Sequence, residues 1–373
     1  MRSVHFLAVW ICGQQNANCE LETGSRYLYL FFVSFEITGR AKNKRITMSE
    51  VADLAGVSYQ TVSRVVNEMP DVAPRTRERV LKLLSEVGYR PNLTARELAN
   101  QKSSVVGVVT FGTRYHGPTQ IMVNIEQAAK EMGFSVMFTG IVEESIDEIR
   151  RAVTELCSHQ VRGVLIHLPI EIELRHLEKV CRDIHLVAVD SDFGFKTASV
   201  FVNQELGSRL ATRHLIELGH QRIGYLGAPL IWRAAKLRYN GWRKELAAHH
   251  LAEIGNFEAD WTAAGGFSVT RNLIIKHREE ISALVVANDQ MAIGAIRAFE
   301  EQGIRVPNDI SIVGFDDIPE AGFIRPPLTT IKQDFARLGK LSVQCLVDQL
   351  NGKVWRDQTI RPKLIERSTT VNR

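Results

Sequence analysis

Residues 52–67 read Ala-Asp-Leu-Ala-Gly-Val-Ser-Tyr-Gln-Thr-Val-Ser-Arg-Val-Val-Asn, a pattern that predicts two short helices joined by a tight turn. Thr47 is placed to cap the first helix, and Glu50 three residues later completes a capping box. Gly56 stands where a left-handed backbone would end that helix. Ser58 then caps the second helix.

The two helices are predicted to be amphipathic. Val51, Ala52 and Leu54 form the apolar side of the first helix, and Val62, Val65 and Val66 face inward from the second. The remaining face of the second helix is polar and carries Tyr59, Gln60, Ser63, Arg64 and Asn67. Because amides and guanidinium groups read adenine and guanine edges in the major groove, this face favours a helix-turn-helix over an ordinary helical hairpin with a polar surface.

Composition and charge agree with a globular regulator. The 373 residues allow two or three domains, and 45% hydrophobic residues indicate a large core. Of the net charge of +4, residues 40–102 carry +5 and the rest −1. A positive excess around the helix pair is expected for phosphate contact, although a randomly uneven surface would also explain it. The five cysteines are scattered without metal-ligand spacing, which indicates reduced thiols in the cytoplasm.

The sequence divides into five predicted segments. Residues 1–44 fit nothing that follows and are interpreted as an unstructured extension or a misassigned start. Residues 45–91 form the helix-turn-helix head, in which Pro74 begins a third helix and Gly88 ends it. Residues 92–102 form a hinge helix and linker, with a plain linker as the alternative. The core has one half built from 103–202 plus 332–362 and another from 203–331 plus 363–373.

The core is predicted to be α/β. Short runs rich in valine, isoleucine and leucine alternate with helical stretches, which indicates parallel strands buried on both faces. Two sets of such runs predict two doubly wound subdomains, and Leu328–Gln333 and Leu364–Thr370 are expected to cross back between them. The sequence carries neither a dinucleotide-binding fingerprint nor a phosphate-binding loop.

Polar side chains follow several of these predicted strands. Asp190, Asn288, Asp316 and His167 stand at strand ends, where open α/β sheets bind their ligands. Together with Arg238 and Trp261, they would suit a polyhydroxyl ligand such as a sugar. Each residue taken alone has a structural explanation, as a cap, a core residue or a surface ion pair. No nucleophile is paired with a base in the sequence pattern, so an enzyme, a metal site and a cofactor are not expected.

From about Arg45 to its end, the chain resembles the lactose-repressor family of bacterial transcription regulators. The resemblance rests on long runs in separate regions. These are Gly-Val-Ser-Tyr-Gln-Thr-Val-Ser-Arg-Val-Val-Asn (56–67), Leu-Arg-Tyr-Asn-Gly-Trp (237–242), Asp-Trp (260–261), Leu-Val-Val-Ala-Asn-Asp-Gln-Met-Ala-Ile-Gly-Ala (284–295) and Thr-Thr-Ile-Lys-Gln-Asp-Phe (329–335). The family fold joins a helix-turn-helix head and a hinge helix to a periplasmic-binding-protein-like core.

The resemblance implies two sets of functional residues. In the family, Tyr59 and Gln60 correspond to the operator-discriminating pair, Arg64 to a guanine reader and Leu98 to a minor-groove wedge. The full expected DNA-binding set is Thr47, Ser58, Tyr59, Gln60, Thr61, Ser63, Arg64, Asn67, Asn92, Ala95 and Leu98. The expected effector-binding set is Pro118, Ile121, His167, Asp190, Phe201, Arg238, Trp261, Asn288, Asp316, Gln333 and Phe335.

The sequence departs from the lactose-responsive family pattern at four pocket positions. His167 replaces an asparagine, Phe111 and Tyr115 replace a serine and a leucine, and Ala234 replaces a serine. These changes leave the identity of the inducer open. The family's tetramer-forming leucine-heptad tail has no counterpart after Thr370, so a dimer is expected.

The resemblance implies a cytoplasmic, homodimeric repressor of a sugar operon, with lactose or another galactoside as inducer. Its partners would be a pseudo-palindromic operator and the sugar, with no membrane. Three alternatives remain: a repressor for a different sugar, an exported sugar-binding protein that uses the first 40 residues as a signal, and a sugar-modifying enzyme.

Overall fold

A computed structural model of the chain describes residues 46–89, 103–142, 145–168, 184–191 and 197–373. The fold separates into two compact units, which comprise residues 1–91 and 92–373. The predicted hinge residues Asn92, Ala95 and Leu98 and the extension 1–44 lie outside the described residues.

The first unit contains three helices: α1 (Met48–Ala55), α2 (Tyr59–Val66) and α3 (Pro74–Glu86). Both halves of the capping box between Thr47 and Glu50 are present, and Gly56 has a φ of 62° in the left-handed region. The Ser58 side chain accepts a hydrogen bond from the backbone N–H of Thr61, as a helix cap should. Local sequence signals therefore place both helix starts and the turn.

A small apolar core joins the three helices. Its fully buried members are Val51, Ala52, Ala55, Val62, Val65 and Val80. The prediction that Leu54 contributes to this core is wrong, because 63% of its surface is exposed. Ala55 packs inward instead, since one turn of helix brings position 55 and position 51 to the same face.

The second unit contains two six-stranded sheets. The strands are β1 (Val105–Phe111), β2 (Ser135–Ile141), β3 (Gly163–His167), β4 (His185–Val189), β5 (Ala198–Val202), β6 (Ile223–Gly227), β7 (Asn256–Glu258), β8 (Ala283–Val286), β9 (Ser311–Asp316), β10 (Thr329–Lys332), β11 (Gln358–Ile360) and β12 (Lys363–Ile365). In the first sheet the order is β11-β5-β4-β3-β1-β2, and in the second it is β12-β10-β9-β8-β6-β7. All pairs are parallel except β12 with β10, which is antiparallel.

Helices cover the sheets. They are α4 (His116–Glu131), α5 (Ile146–Ser158), α6 (Gln204–Glu217), α7 (Arg233–Ala248), α8 (Ala263–Asn272), α9 (Asp289–Glu301) and α10 (Phe335–Leu350), with 3-10 turns at Ile274–Glu280 and Pro319–Gly322. The central strands β3, β6, β8 and β9 are buried along their whole length, as parallel strands between helices must be. The predicted α/β class with two parallel sheets is confirmed.

The chain passes between the two sheets at three points: between Val202 and Gln204, between Lys332 and Phe335, and between Ile360 and Lys363. The predicted crossing segment Leu328–Gln333 is itself a strand of the second sheet, and the crossing follows it. Across the described ranges, no helix is both long and apolar enough to cross a membrane.

Candidate functional site

The polar face of α2 is accessible, as a DNA-reading face requires. Tyr59, Gln60 and Arg64 are exposed, while Ser63 and Asn67 are half-buried. The Asn67 amide donates to the Ser63 hydroxyl over 3.3 Å, so these two side chains support each other along the helix. Tyr59, Gln60 and Arg64 are consequently the freest candidates for contacts with base edges.

Three of the expected DNA-contacting residues also hold the head together. Thr47 closes the capping box of α1, with its backbone N–H 2.8 Å from a Glu50 carboxylate oxygen. Ser58 and Thr61 pair through their hydroxyl groups at 2.9 Å. A substitution at any of these positions would therefore change helix stability as well as any DNA contact.

The Arg64 side chain forms an ion pair on the surface of the head. Its guanidinium lies 3.2 Å from the Asp71 carboxylate, and both side chains are more than half exposed. An ion pair in water at this exposure contributes little to stability, so Arg64 can exchange Asp71 for a base edge at low cost.

Residues 46–89 carry five basic and six acidic side chains. The positive excess of residues 40–102 therefore comes from the residues that flank 46–89.

The second candidate site is a partly open cavity in the core unit. It lies beyond the carboxyl ends of β3, β4, β8, β9 and β10, where open α/β sheets bind ligands. Its lining residues are Tyr115, His116, Gly117, Pro118, Ile121, His167, Asp190, Trp232, Ala234, Arg238, Trp261, Asn288, Asp316, Gln333 and Phe335. Ten of the eleven predicted effector residues are thus brought together.

Phe201 is the exception. It does not line the cavity, and its ring packs beneath the Arg233 guanidinium at 5.8 Å. Val200 and Val202, its neighbours along β5, are buried. Because side chains alternate along a strand, Phe201 is directed to the opposite face.

Arg238 is the centre of the polar part of the cavity. It projects from α7, and only 5% of its surface is exposed. Its Nε donates to Gln204 Oε1 over 2.9 Å, one terminal nitrogen donates to the Ala287 carbonyl, and the other lies 3.5 Å from Asp316 Oδ1. The guanidinium carbon also stands 3.8 Å from the centre of the Phe315 ring. The cation is therefore fixed in place before any ligand binds.

Gln204 links the polar groups, although the sequence analysis did not identify it. Its amide nitrogen lies 2.8 Å from Gln333 Oε1 and 3.4 Å from both Asp190 oxygens. Gln333 in turn donates to Asp316 Oδ1 over 2.7 Å. A chain of hydrogen bonds thus runs from Asp190 through Gln204 and Gln333 to Asp316.

Burial changes the acidity of the cavity's ionisable groups. Desolvation raises the pKa of both Asp190 and Asp316 above their ordinary values, even though hydrogen bonds and the Arg238 charge oppose the change. Desolvation also lowers the pKa of His167 to about 4, so its imidazole is neutral at pH 7. The Nδ1 atom of His167 lies 3.2 Å from the Thr110 hydroxyl, which fixes the ring orientation.

Three of the seven non-glycine residues with positive φ in the described part of the chain line this cavity. Asp190, Trp261 and Asp316 have φ values of 49°, 73° and 119°, a region that residues with a Cβ rarely occupy. Each such residue costs about 1–3 kcal/mol, a cost that persists where the geometry serves a site. The strain agrees with a ligand-binding role for these three residues.

Asn288 holds the loops around them. Its Oδ1 accepts from the backbone N–H of Met291 to cap α9, and its Nδ2 donates to the Trp261 carbonyl over 2.9 Å. The side chain therefore fixes the unusual backbone of Trp261 as well as lining the cavity.

An aromatic wall, defined as Phe111, Tyr115, Trp232 and Trp261, forms one side of the cavity region. The Trp232 ring lies 5.0 Å from Tyr115, 5.7 Å from Phe111 and 5.9 Å from Trp261 between centroids. Phe111 supports Trp232, whereas the other three rings line the cavity directly. Phe111 and Tyr115 stand out in the sequence as departures from the family pattern, whereas Trp232 was not identified from the sequence.

The site offers binding groups without the arrangement that a metal would need. Across the described residues, no cluster of three or more histidine, cysteine, aspartate or glutamate side chains could hold a metal ion. Carboxylates, amides, a neutral imidazole and a guanidinium surround a cavity with aromatic sides. This combination suits a neutral ligand with many hydroxyl groups.

Comparisons with known proteins cover both the head and the core. Residues 47–92 match the pattern of bacterial regulatory proteins of the lacI family, and residues 212–370 match a periplasmic binding protein-like domain. The lactose operon repressor of Escherichia coli (strain K12) is 39% identical over 332 residues, which is 88% of this chain and 91% of that protein. The HTH-type transcriptional repressor PurR of Mannheimia succiniciproducens is 31% identical and covers 87% of this chain and 98% of its own length.

A solved structure extends the similarity to the fold. The crystal structure of the lac repressor dimer bound to operator and the anti-inducer ONPF has a TM-score of 0.81 and 38% identity, and it covers 88% of this chain and all of the other. The match spans the head and the core, so the predicted periplasmic-binding-protein-like architecture is confirmed. The chain belongs to the LacI family of bacterial regulatory proteins and is a DNA-binding repressor with an effector-binding core.

Proposed function

We propose that the chain represses a lactose or galactoside utilisation operon in the cytoplasm and leaves its operator when a sugar occupies the core cavity. The observation that carries this proposal is the hydrogen-bonded chain from Asp190 to Asp316 around Arg238. Repressors of this family are not enzymes, which confirms that expectation for the chain.

On the DNA side, the exposed face of α2 would read the bases. Gln60 would pair with adenine and Arg64 with guanine, the bidentate contacts that these side chains favour. Thr47, Ser58, Thr61, Ser63 and Asn67 would position the helix on the phosphates. Residues 92–102 would form a hinge helix that is stable only against its partner's, with Leu98 as a minor-groove wedge.

On the effector side, the proposal uses the two core halves, 103–202 plus 332–362 and 203–331 plus 363–373. A sugar that contacts both halves favours the arrangement that fits it best. A ligand shifts such an equilibrium only by its difference in affinity for the two arrangements. The favoured arrangement would separate the two hinge helices of a homodimer and uncouple the heads.

Release of operator by sugars tests the proposal. A palindromic duplex selected from random DNA with the full-length protein would be labelled, and its binding would be followed by fluorescence anisotropy. We expect a galactoside to release the duplex, and a panel of glucosides, pentoses and purine bases tests whether another small molecule does so instead. Release by one of these compounds and not by galactosides would reject the galactoside response, and release by none of them would reject the proposed function as a whole.

Arg238→Ala provides the structural control. The substitution removes charge-assisted hydrogen bonds worth roughly 1.5–3 kcal/mol each, so sugar affinity should fall at least about tenfold while operator binding stays within about threefold. Arg243→Ala on the same helix removes an exposed pair with Glu253 and should leave sugar release unchanged. Normal release by the Arg238 variant would contradict the assigned role.

A further inference from the structure

We infer that Gln204 is a positioning residue that transmits effector binding to the chain crossings between the two core halves without touching the effector. The inference rests on the proposed release of operator by a small molecule and names a residue on which the coupling depends. Gln204 is the first residue of α6, and only 2% of its surface is exposed. In the described part of the chain, it is not among the residues that line the cavity.

The Gln204 amide is bonded to cavity side chains from both halves of the core. Its Oε1 accepts from Arg238 Nε over 2.9 Å, and its Nε2 lies 3.4 Å from both carboxylate oxygens of Asp190. Asp190 follows β4 of the first sheet, whereas Arg238 belongs to α7, which packs beside β6 of the second sheet. A movement of one half against the other therefore changes at least one of these distances.

Residues 203 and 204 also join the points where the chain crosses between the sheets. Gln204 ends the first crossing, and its Nε2 donates to Oε1 of Gln333, in the second crossing, over 2.8 Å. The backbone N–H of Asn203 donates to the carbonyl of Ile360, at the start of the third crossing, over 3.0 Å. A rotation about the crossings consequently moves the Gln204 amide.

The two charged partners of Gln204 are each anchored in their own half. A terminal nitrogen of Arg238 donates to the carbonyl of Ala287, which follows β8 of the second sheet. Asp190 Oδ1 accepts from the backbone N–H of Val202, the last residue of β5, over 3.1 Å. The halves cannot rotate with all of these bonds intact, so the polar side of the cavity differs between the two arrangements. An effector that fits one of them better favours that arrangement.

Two simpler roles for Gln204 predict different results. If Gln204 only supports the cavity wall, its loss weakens effector binding, but a saturating effector still lowers operator affinity as much as before. If Gln204 only stabilises the fold, its loss lowers the melting temperature and changes neither property. A coupling role predicts that a saturating effector lowers operator affinity less than it does in the wild-type protein.

Gln204→Met tests the coupling, because methionine has a similar length but lacks the amide that makes these hydrogen bonds. Operator affinity of the full chain would be measured by anisotropy, without sugar and with saturating methyl β-galactoside. If another compound of the release panel releases the wild-type protein instead, that compound is the probe. Calorimetry on each variant sets the saturating concentration. The ratio of the two operator affinities measures the coupling, which is typically about 5–150-fold.

We expect Gln204→Met to lower this ratio at least about threefold. Gln204→Leu should act in the same direction and provides a second apolar variant. Gln349→Met is the matched control and should keep the wild-type ratio. Gln349 is a half-buried glutamine of α10 whose amide lies 3.5 Å from the Leu186 carbonyl, outside the cavity. A thermal melt verifies that each variant folds.

Linkage provides an independent readout. Operator DNA must change the affinity for the effector by the same factor by which the effector changes the affinity for operator. The effector affinity of Gln204→Met, measured with and without operator, should therefore show the same reduced factor. A loss of effector affinity that is equal in both conditions would assign Gln204 to support of the cavity wall.

Three results would overturn the inference. The first is a ratio in the Gln204 variants that stays within about twofold of the wild-type ratio, and the second is an equal fall in Gln349→Met. The third is failure of both Gln204 variants to fold, which would make the residue structural. In each case the wild-type protein still releases operator, so the proposed function survives. Release of the wild-type protein by no compound would reject the proposed function, and the inference with it.

Discussion

At the scale of single residues, Arg238 shows how burial prepares a charged group for a ligand. Two of its nitrogens donate to protein acceptors, Gln204 and Ala287, and its only ion-pair partner in the described residues is Asp316. A guanidinium has five N–H donors, so others remain for a ligand. A buried cation with one partner at 3.5 Å is incompletely compensated. A sugar hydroxyl that accepts a hydrogen bond from this guanidinium would give the cation a further partner.

Gln60 is the residue whose substitution tests base reading most directly. Gln60→Ala should weaken operator binding by roughly 1–3 kcal/mol and relax the preference at one base pair, because an amide that pairs with adenine is lost. The measurement is anisotropy on the selected operator, on its single-base variants and on random DNA. An equal loss on operator and random DNA would make Gln60 a residue that only positions the helix.

His220 should make the core sensitive to acid. Its Nδ1 lies 3.0 Å from the Ser282 hydroxyl, and its Nε2 lies 3.0 Å from the Ser311 hydroxyl and 3.1 Å from the Val371 carbonyl. Burial lowers the pKa of His220 to about 4. Below pH 6.5 the unfolded chain therefore binds a proton that the folded chain excludes, and stability falls as the pH falls from 6.5 to 4.

The expected loss from His220 is about 2 kcal/mol at pH 5 relative to pH 7.5. Buried His167 contributes in the same direction. In His220→Gln, the stability difference from the wild type should shrink on acidification, as measured by urea unfolding of the core at both pH values. A difference that does not change with pH would refute the role of His220.

Residue chemistry was predictable where it depends on local spacing. The capping box at Thr47, the turn at Gly56 and the placement of ten of the eleven expected effector residues at the cavity follow from sequence patterns or resemblance. The role of Gln204 was not predictable, because a glutamine at the first position of a helix carries no signal in the sequence. Only the crossing of the chain between the sheets brings it beside Arg238. Phe201 lies outside the cavity for a related reason, since a shift of one residue along a strand moves a side chain to the opposite face of the sheet.

At the scale of elements, long buried strands were predictable and short edge strands were not. β9 (Ser311–Asp316) is an example, because an apolar run of this length marks a strand that is covered on both faces. β7 and β11 have three residues each and include Asn256, Glu258 and Gln358. Their pairing depends on neighbours that are distant in sequence, so a local pattern cannot reveal it.

Helices α8 and α9 provide a test of close packing between elements. Gly294 of α9 faces the backbone of Ala263 and Phe267, and Gly266 of α8 faces the backbone of Met291. An alanine Cβ at either position would overlap main-chain atoms, which cannot move as a flexible side chain can. The pair of glycines therefore sets the distance between the two helices.

Gly294→Ala should destabilise the core by about 1–3 kcal/mol, despite the gain of up to ~1 kcal/mol that alanine normally brings to a helix. Gly117→Ala in α4 is the matched control, because a Cβ there meets no atom within 4 Å. It should be neutral or stabilising in the same thermal melt. Equal behaviour of the two variants would mean that α8 and α9 can separate without cost.

At the scale of the whole molecule, the heads and the core must be coupled for a sugar to control DNA binding. One three-helix head presents a single short recognition helix, which reads too few base pairs to specify one site. A two-fold dimer doubles the contacts and requires a pseudo-palindromic operator. The solved structure of the lac repressor shows such a dimer bound to operator.

The coupling predicts how half of an operator should behave. Scrambling one half-site should cost about 2–5 kcal/mol, roughly half of the ~4–10 kcal/mol that separates specific from non-specific binding. Sedimentation should find one dimer on each intact duplex. Saturating sugar should then reduce the affinity for the intact palindrome to that for the scrambled duplex. The affinity for the scrambled duplex itself should not change. The reason is that a sugar that only uncouples the heads removes their joint binding and no base contact. Equal weakening of both duplexes by the sugar would show instead that the effector alters the reading surface of each head.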